Sequence, residues 1–349
     1  MINHVLAIET SCDDTSVAIV RHDGWVQSVV SANQDLQHAP YGGIVPEIAC
    51  RNHSIALIPL IEEAMSRSQL TWKDLGGIAV TNRPGLIGSL IVGVVTAKSL
   101  SMAHNLPMIG VNHLEGHLLA PFLKDDQFQP PHEFNYPYVG LAVSGGHSSL
   151  YEIHQLADYE ILGTTRDDAA GEAFDKFAKM IGLGFPGGAK VDKESQGGDP
   201  QAFALPRALL QEDHFDFSFS GVKSSAHRLV DQLGPEEVQR RRSDLCASFQ
   251  EAIVDALIFK LDRAVKTRKA RRAILTGGVS ANSRLRARAQ DWAQKSGIQL
   301  VIPPMRFCTD NAAMIGYAGI LRLNRGERSE LDFAPSPQST EGDFREVKR

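Results

Sequence analysis

The sequence predicts an α/β protein made of two lobes of related design. Three observations lead there. Short apolar runs of strand length alternate with longer stretches of helical periodicity. A pattern of strand, small polar turn and strand opens the chain and recurs just past residue 137. The chain has 349 residues, a length that suits about two domains.

The elements follow in order. Residues 5–8 and 17–20 are apolar and flank the polar stretch 9–16, which reads as a hairpin with a long, acid- and hydroxyl-rich turn. After a turn at 41–46 comes a helix whose apolar face is expected on Ile48, Ile55, Ile58, Ile61 and Ala64. Residues 77–81 form a buried strand. The apolar window 86–97 stops at Lys98, too short to span a bilayer, and is expected as a buried helix. Residues 107–112 are another strand, and 122–136 a polar, proline-bearing connector. The second hairpin pairs 138–143 with 149–153 around a Ser-Gly-Gly-His turn. A glycine-rich loop (182–198) and a Ser/Phe loop (216–225) precede a helix with Leu245, Phe249, Ile253, Leu257 and Leu261 spaced by four. Residues 273–276 make a strand that turns at 277–282 into a helix. From Phe333 onward the chain is polar and reads as a loose tail. The expected division is a first lobe of 1–120 with 306–332, a second lobe of 121–305, and a tail of 333–349.

Composition narrows the function. With 43% hydrophobic and 22% charged residues the chain can bury sizeable cores, which excludes a disordered class. Its 36 Lys+Arg against 41 Asp+Glu give a net charge of -5, which argues against a globally basic nucleic-acid binder and leaves room for local patches. Cys12, Cys50, Cys246 and Cys308 form no CxxC pair, so reduced thiols in a cytoplasmic protein are expected. The apolar stretch at the N-terminus stops at Glu9, too early for a secretory leader, and no membrane association is expected.

Several motifs can carry chemistry. In Asn112-His-Leu-Glu-Gly-His117 the two histidines are four apart, so on a helix His113 and His117 share a face and can reach one metal ion; two unrelated surface or core histidines are the plain alternative. A zincin needs its glutamate directly after the first histidine. That position is Leu114, and Glu115 points roughly 200° around the helix. Asp310, ahead of an apolar helical run, reads either as an N-cap or as a third ligand; two histidines and a carboxylate suit Fe(II) and also zinc. The turn after Ala142 and Val143, Ser144-Gly145-Gly146, is either a tight hairpin turn or a backbone cradle for a phosphate or carboxylate. Residues 167–176 carry Glu172, Asp175 and Lys176 on one helix face, a solvated salt-bridged face or an acid for ribose hydroxyls. Gly277 to Asn282 is a strand–GG–helix unit, a βα turn capped by Ser280 or Asn282 or a nucleotide cradle. The basic runs 240–242 and 266–272 (Lys266, Arg268, Lys269, Arg271, Arg272) complement helix ends or touch phosphates, with Arg284, Arg286 and Arg288 able to add to them.

Taken in succession, ETSCDDTSVA, YGGIVPE, NHLEGHLLAP, VSGGHS, DDAAGEAFDK, the FPGG loop, DFSFSGVK, GGVSAN and FCTDNAAMIGYAG closely resemble the TsaD (YgjD/Gcp) family over about residues 1–325. The resemblance implies a two-lobed actin/Hsp70/sugar-kinase-like (ASKHA) duplicated fold. It implies an acyltransferase that moves threonylcarbamoyl from L-threonylcarbamoyladenylate to N6 of adenosine 37 in tRNA, forming t6A. Carried over by motif, His113, His117 and Asp310 are the metal ligands, with Fe2+ expected and Zn2+ permitted. Ala142, Val143, Ser144, Gly145, Gly146, Asp175, Gly188, Asp192 and Asn282 are the adenylate positions. A TsaB-type dimerisation partner and a TsaE-type ATPase are implied as partners beside tRNA. Glu9 and Asp13, in the first turn, are candidates for site electrostatics. Arg83 stands where the family usually has Gly, and Ala189-Lys190 follows FPGG where Pro is common. A metallopeptidase (the older glycoprotease description) and a nucleotide-switched scaffold are the competing readings.

Overall fold

The computed structural model describes residues 1–210, 212–340 and 342–346. Strands β1 (His4–Glu9), β2 (Thr15–Arg21) and β3 (Val26–Ala32) open the chain. The short helix α1 (Asp35–His38), α2 (Pro46–Ser68), β4 (Ile78–Arg83), α3 (Ile87–His104), β5 (Met108–Asn112) and α4 (His113–Leu119) follow. The first sheet runs β3-β2-β1-β4-β5. β1 pairs antiparallel with β2 and parallel with β4, so its apolar residues 5–8 are buried on both faces.

The middle of the chain forms β6 (Tyr138–Val143), β7 (Ser148–Gln155), β8 (Asp158–Thr164), α5 (Ala170–Met180), α6 (Gly187–Glu194), α7 (Ser220–Arg240), α8 (Arg242–Arg268), β9 (Arg272–Thr276), α9 (Ser283–Ser296) and β10 (Gln299–Val301). Its sheet runs β10-β9-β6-β7-β8, with the short β11 (Arg345–Glu346) added beside β8. The two hairpin-led sheets share one scheme: two antiparallel neighbours on one side of the leading strand, two parallel ones on the other. The duplication read from the two hairpins is thus present in strand order.

After β10 the chain makes α10 (Met305–Cys308) and α11 (Ala312–Asn324), and α11 packs on β1, β2, β4 and β5. Two compact units result, one of residues 1–132 with 303–343, the other of 133–302 with 344–349. The stretch 121–132 therefore packs with the first unit rather than the second. Leu123 is fully buried, Lys124 bridges Trp25, and Asp125 forms a forked pair with Arg306.

The segment from Phe333 is not a loose tail over its described residues. Phe333 packs against the first core, and Lys98 Nζ lies 4.7 Å from its ring and donates to its carbonyl. Ser336 N donates to Asn82 O, Asp343 is clasped by Arg83, and Phe344 packs on Tyr151 and Tyr159. Its polar composition hid a run of specific anchors. Residues 341 and 347–349 of that expected tail lie outside the described residues.

Two helix faces also differ from expectation. In α2 the buried face is Ala49, His53, Leu57, Leu60, Ile61 and Ala64, whereas Ile55 and Ile58 are exposed. The packed face includes a histidine, so picking isoleucines misplaced it. In α3 only Ser89, Leu90, Gly93, Val94 and Ala97 are buried. Ile91 and Val95 are 46% and 55% exposed, so this expected buried helix is packed on one face only. α3 is, among the described residues, the one helix long and apolar enough to cross a membrane, by length and composition alone.

Candidate functional site

Within the first unit, His113 and His117 occupy the first and fifth positions of α4, and their rings meet edge-on at 4.7 Å. Asn112 caps this helix, its Oδ1 accepting from Leu114 N at 2.8 Å. Asp310, just before α11, reaches both histidines: its Oδ1 lies 3.1 Å from His117 Nε2 and 3.4 Å from His113 Nε2. The cap of α11 is Asn311, which accepts from Met314 N, so Asp310 is free of the capping role and faces the histidine pair.

A second layer fixes His113. Its Nδ1 lies 3.0 Å from Glu9 Oε2 and 3.2 Å from Ser11 Oγ. Glu9 is fully buried and both its oxygens are engaged: Oε1 accepts from Ser11 N at 2.5 Å, Oε2 from Thr81 Oγ1 at 2.6 Å. Nδ1 anchored by a carboxylate leaves Nε2 to face Asp310, the arrangement that fixes a ligand imidazole's tautomer. Burial works against charge throughout. On His113 the Asp310 and Glu9 carboxylates outweigh it and raise the pKa well above the ordinary value. On His117 burial wins and the pKa falls. Burial would raise Asp310, yet the two histidines hold it well below the usual carboxylate range.

His113, His117 and Asp310 each offer one ligand atom, all within 4.8 Å of one another. His117 Nδ1 is buried without a hydrogen-bond partner among the described residues. Two imidazoles that turn their Nε2 atoms toward one ionised carboxylate fit a divalent cation of the Fe(II) or zinc kind. Glu115 turns away and pairs with Arg322, its own side chain 1% exposed, so the glutamate of the motif is not the base that a metalloprotease would need. Asp13 stays partly exposed in the β1–β2 turn, its pKa raised by burial.

In the second unit lie the positions that the resemblance assigned to an adenylate. Ala142 and Val143 end β6; Gly145 and Gly146 are exposed, with nothing within 4 Å of a Cβ at either. The N-terminus of α5 abuts this turn, Gly171 N donating to Ser144 O and Glu172 N to Gly145 O. Gly277, at φ +88°, lies so close to Val143 that a Cβ would sit 2.4 Å from its carbonyl oxygen. The glycine turns after β6 and β9 are therefore neighbours. Asp175 accepts from Gly187 N at 2.7 Å, joining α5 to α6, and Gly188 is open on its Cβ side. Asp192 accepts from Ser283 N and Oγ. Asn282 caps α9 and donates to Gln250 Oε1 at 2.6 Å.

Two of the five cations in the run are paired. Lys266 meets Asp262, and Arg268 lies between Glu152 and Glu160. Arg284 and Arg288 bind Glu251, with Arg288 also on Asp255, so they do not extend the run. Lys269 and Arg271 are exposed, and Arg272 starts β9 half-buried. Sequence reasoning missed Ser11, Thr81, Gln250 and Asn112; of these only Asn112 carried a signal, an N-cap residue directly ahead of the first histidine.

A protein of Bdellovibrio bacteriovorus named tRNA N6-adenosine threonylcarbamoyltransferase is 70% identical over 345 residues, 99% of this chain and 100% of that relative. One of the same name from Sorangium cellulosum is 49% identical over 96% of each chain. Among solved structures, full-length HypF in its phosphate- and nucleotide-bound form matches 97% of this chain and 56% of its own at TM-score 0.61 and 12% identity. Component A of the Acidaminococcus fermentans (R)-2-hydroxyglutaryl-CoA dehydratase covers 92% of this chain and 99% of its own at TM-score 0.54 and 10% identity. Those two likenesses concern the fold, α/β of the actin/Hsp70/sugar-kinase type. The family model for TsaD, tRNA N6-adenosine threonylcarbamoyltransferase, matches residues 26–317; with relatives this close over the full length, the chain belongs to the TsaD family.

Proposed function

We propose that this chain transfers the threonylcarbamoyl group of L-threonylcarbamoyladenylate to N6 of adenosine 37 in tRNA, forming t6A and releasing AMP. The observation that carries it is the convergence of His113, His117 and Asp310 at 3.1–3.4 Å in a chain of this family. In the reaction the N6 amine attacks the carbonyl carbon of the mixed anhydride. The new C–N bond replaces the C–O bond to AMP phosphate, and N6 loses a proton. His113, His117 and Asp310 would hold Fe2+, with Zn2+ chemically permitted, and the ion supplies Lewis-acid and templating chemistry. Glu9 acts through His113, fixing its tautomer.

The turn 142–146 offers backbone N–H groups to the phosphate or carboxylate oxygens of the adenylate. Asp175, Gly188, Asp192 and Asn282 complete the adenylate set, Asp192 and Asn282 by ordering the start of α9. The acceptor adenosine lies in a single-stranded loop and can be splayed for reaction. Lys269 and Arg271 are the exposed cations offered to tRNA phosphates, with Lys266, Arg268 and Arg272 alongside. The outward apolar face of α2 and α3, with Ile55, Ile58, Ile91 and Val95 exposed, suits a TsaB-type dimerisation partner. A TsaE-type ATPase and a cytoplasmic setting belong to the same reading.

The test is reconstitution with tRNA, threonine, bicarbonate, ATP, the adenylate-forming enzyme and the partner proteins, read by nucleoside chromatography. t6A should appear with the parent chain, while His113→Ala and Asp310→Ala should bind no metal and make none. Unmodified tRNA from the metal-loaded parent would refute the reading.

A further inference from the structure

The C-terminal segment does more than cover the first unit. It crosses the carboxyl ends of β4 and β5, where Ser336 N donates to Asn82 O and Pro337 O accepts from Gly85 N. It ends on Asp343, whose side chain is only 7% exposed. Arg83, at the end of β4, holds that carboxylate with a forked pair, Nε to Oδ2 at 2.7 Å and Nη2 to Oδ1. Thr340 N and Oγ1 also donate to it, at 2.8 and 3.1 Å.

The same carboxylate takes one more donor, Asn112 Nδ2 at 3.1 Å, and Ser339 Oγ accepts from the same nitrogen at 3.2 Å. Asn112 is the cap of α4 and directly precedes His113. A carboxamide has one accepting and one donating end. Because the strap takes the donating end, the accepting Oδ1 is left facing Leu114 N, the geometry the cap requires. The bond through Asn112 is thus a mechanical link from residue 343 to the first turn of the histidine helix.

We propose that Asp343, clasped by Arg83, is a positioning residue for the metal-binding helix, acting through the orientation of the Asn112 side chain. This rests on the assignment of His113 as a metal ligand. The clasp fixes the Asn112 amide, the amide caps α4, and the cap sets the backbone from which His113 projects.

Two readouts test it on the full chain. In metal-free protein, hydrogen exchange over residues 112–119 should quicken in Asp343→Ala and much less in Asp343→Asn, which keeps an acceptor for Asn112. In Co(II) titrations followed by visible absorption, Asp343→Ala should bind about tenfold more weakly, the lower end of what outer-shell changes cost, with an altered ligand-field band. Arg83→Lys, which keeps the charge but loses the fork, should fall between parent and Asp343→Ala and guards against a misfolded alanine variant. The proposal is overturned if exchange quickens only in the strap while 112–119 and the Co(II) spectrum match the parent. A parent that binds no Co(II) would refute the metal assignment instead, and the exchange measurement would still decide the clasp.

Discussion

Glu9 shows how a single carboxylate is committed. Its two oxygens serve Ser11, Thr81 and His113 at once, in a fully buried position. Glu9→Gln keeps the shape but replaces an acceptor with a donor facing His113 Nδ1; metal affinity should fall about 10–100-fold, measured by competition with a chromophoric chelator. Asp14, nearby, gives a pH signature. Burial, with Asp310 and Asp13 adding, pushes its pKa up to about 7. A carboxyl whose folded pKa is raised contributes stability at low pH and loses it as pH rises through that value. Asp14→Asn, which can still accept from Asn33, should therefore melt above the metal-free parent at pH 8, with the difference vanishing near pH 4. Calorimetry across that range checks it. At this scale the histidine pair was legible from its i, i+4 spacing. Asp310 was not settled by sequence, because Asp310 and Asn311 are both good caps and a rotation of one residue decides which one caps α11.

Helices were legible as elements but not always as faces. α11 crosses four strands, and it does so by presenting glycines: a Cβ on Gly316 would lie 2.6 Å from Val20 Cγ2, and one on Gly319 only 2.3 Å from Ala79 Cβ. Gly319→Ala should cost about 1–3 kcal/mol from overpacking, despite alanine's better helix propensity, as urea unfolding would show. Hydropathy predicts α3 as a buried helix, and it does not reveal which partner covers an apolar face. Ile91→Asp with Val95→Asp should leave monomer stability nearly unchanged and weaken capture of the proposed TsaB-type partner at least tenfold, measured by interferometry. Unchanged capture would move the partner elsewhere.

Across the whole molecule, the repeated hairpins correctly signalled a duplicated α/β architecture, since strand order is encoded in local turn and apolar patterns. The C-terminal anchoring was illegible because it depends on contacts more than 200 residues apart, such as Arg83 with Asp343. With a net charge of -5, contact with nucleic acid has to come from local patches, and in the run 266–272 Lys266 and Arg268 are already matched by acids. Lys269→Glu with Arg271→Glu should thus lower tRNA affinity and reduce the salt slope by about one per lost phosphate contact, seen in filter binding across salt concentrations.

The first unit is discontinuous in sequence, and this orders events on the ribosome. Residues 133–302 are complete before 303–343 are made. A chain growing at about 5–20 residues per second can therefore assemble its middle domain, all but β11, while the opening sheet still waits for α11. His113 and His117 are synthesised nearly 200 residues ahead of Asp310. On the proposed assignment of these three ligands, metal loading becomes a late event in the life of the nascent chain, complete only once Asp310 and its closing helix have docked.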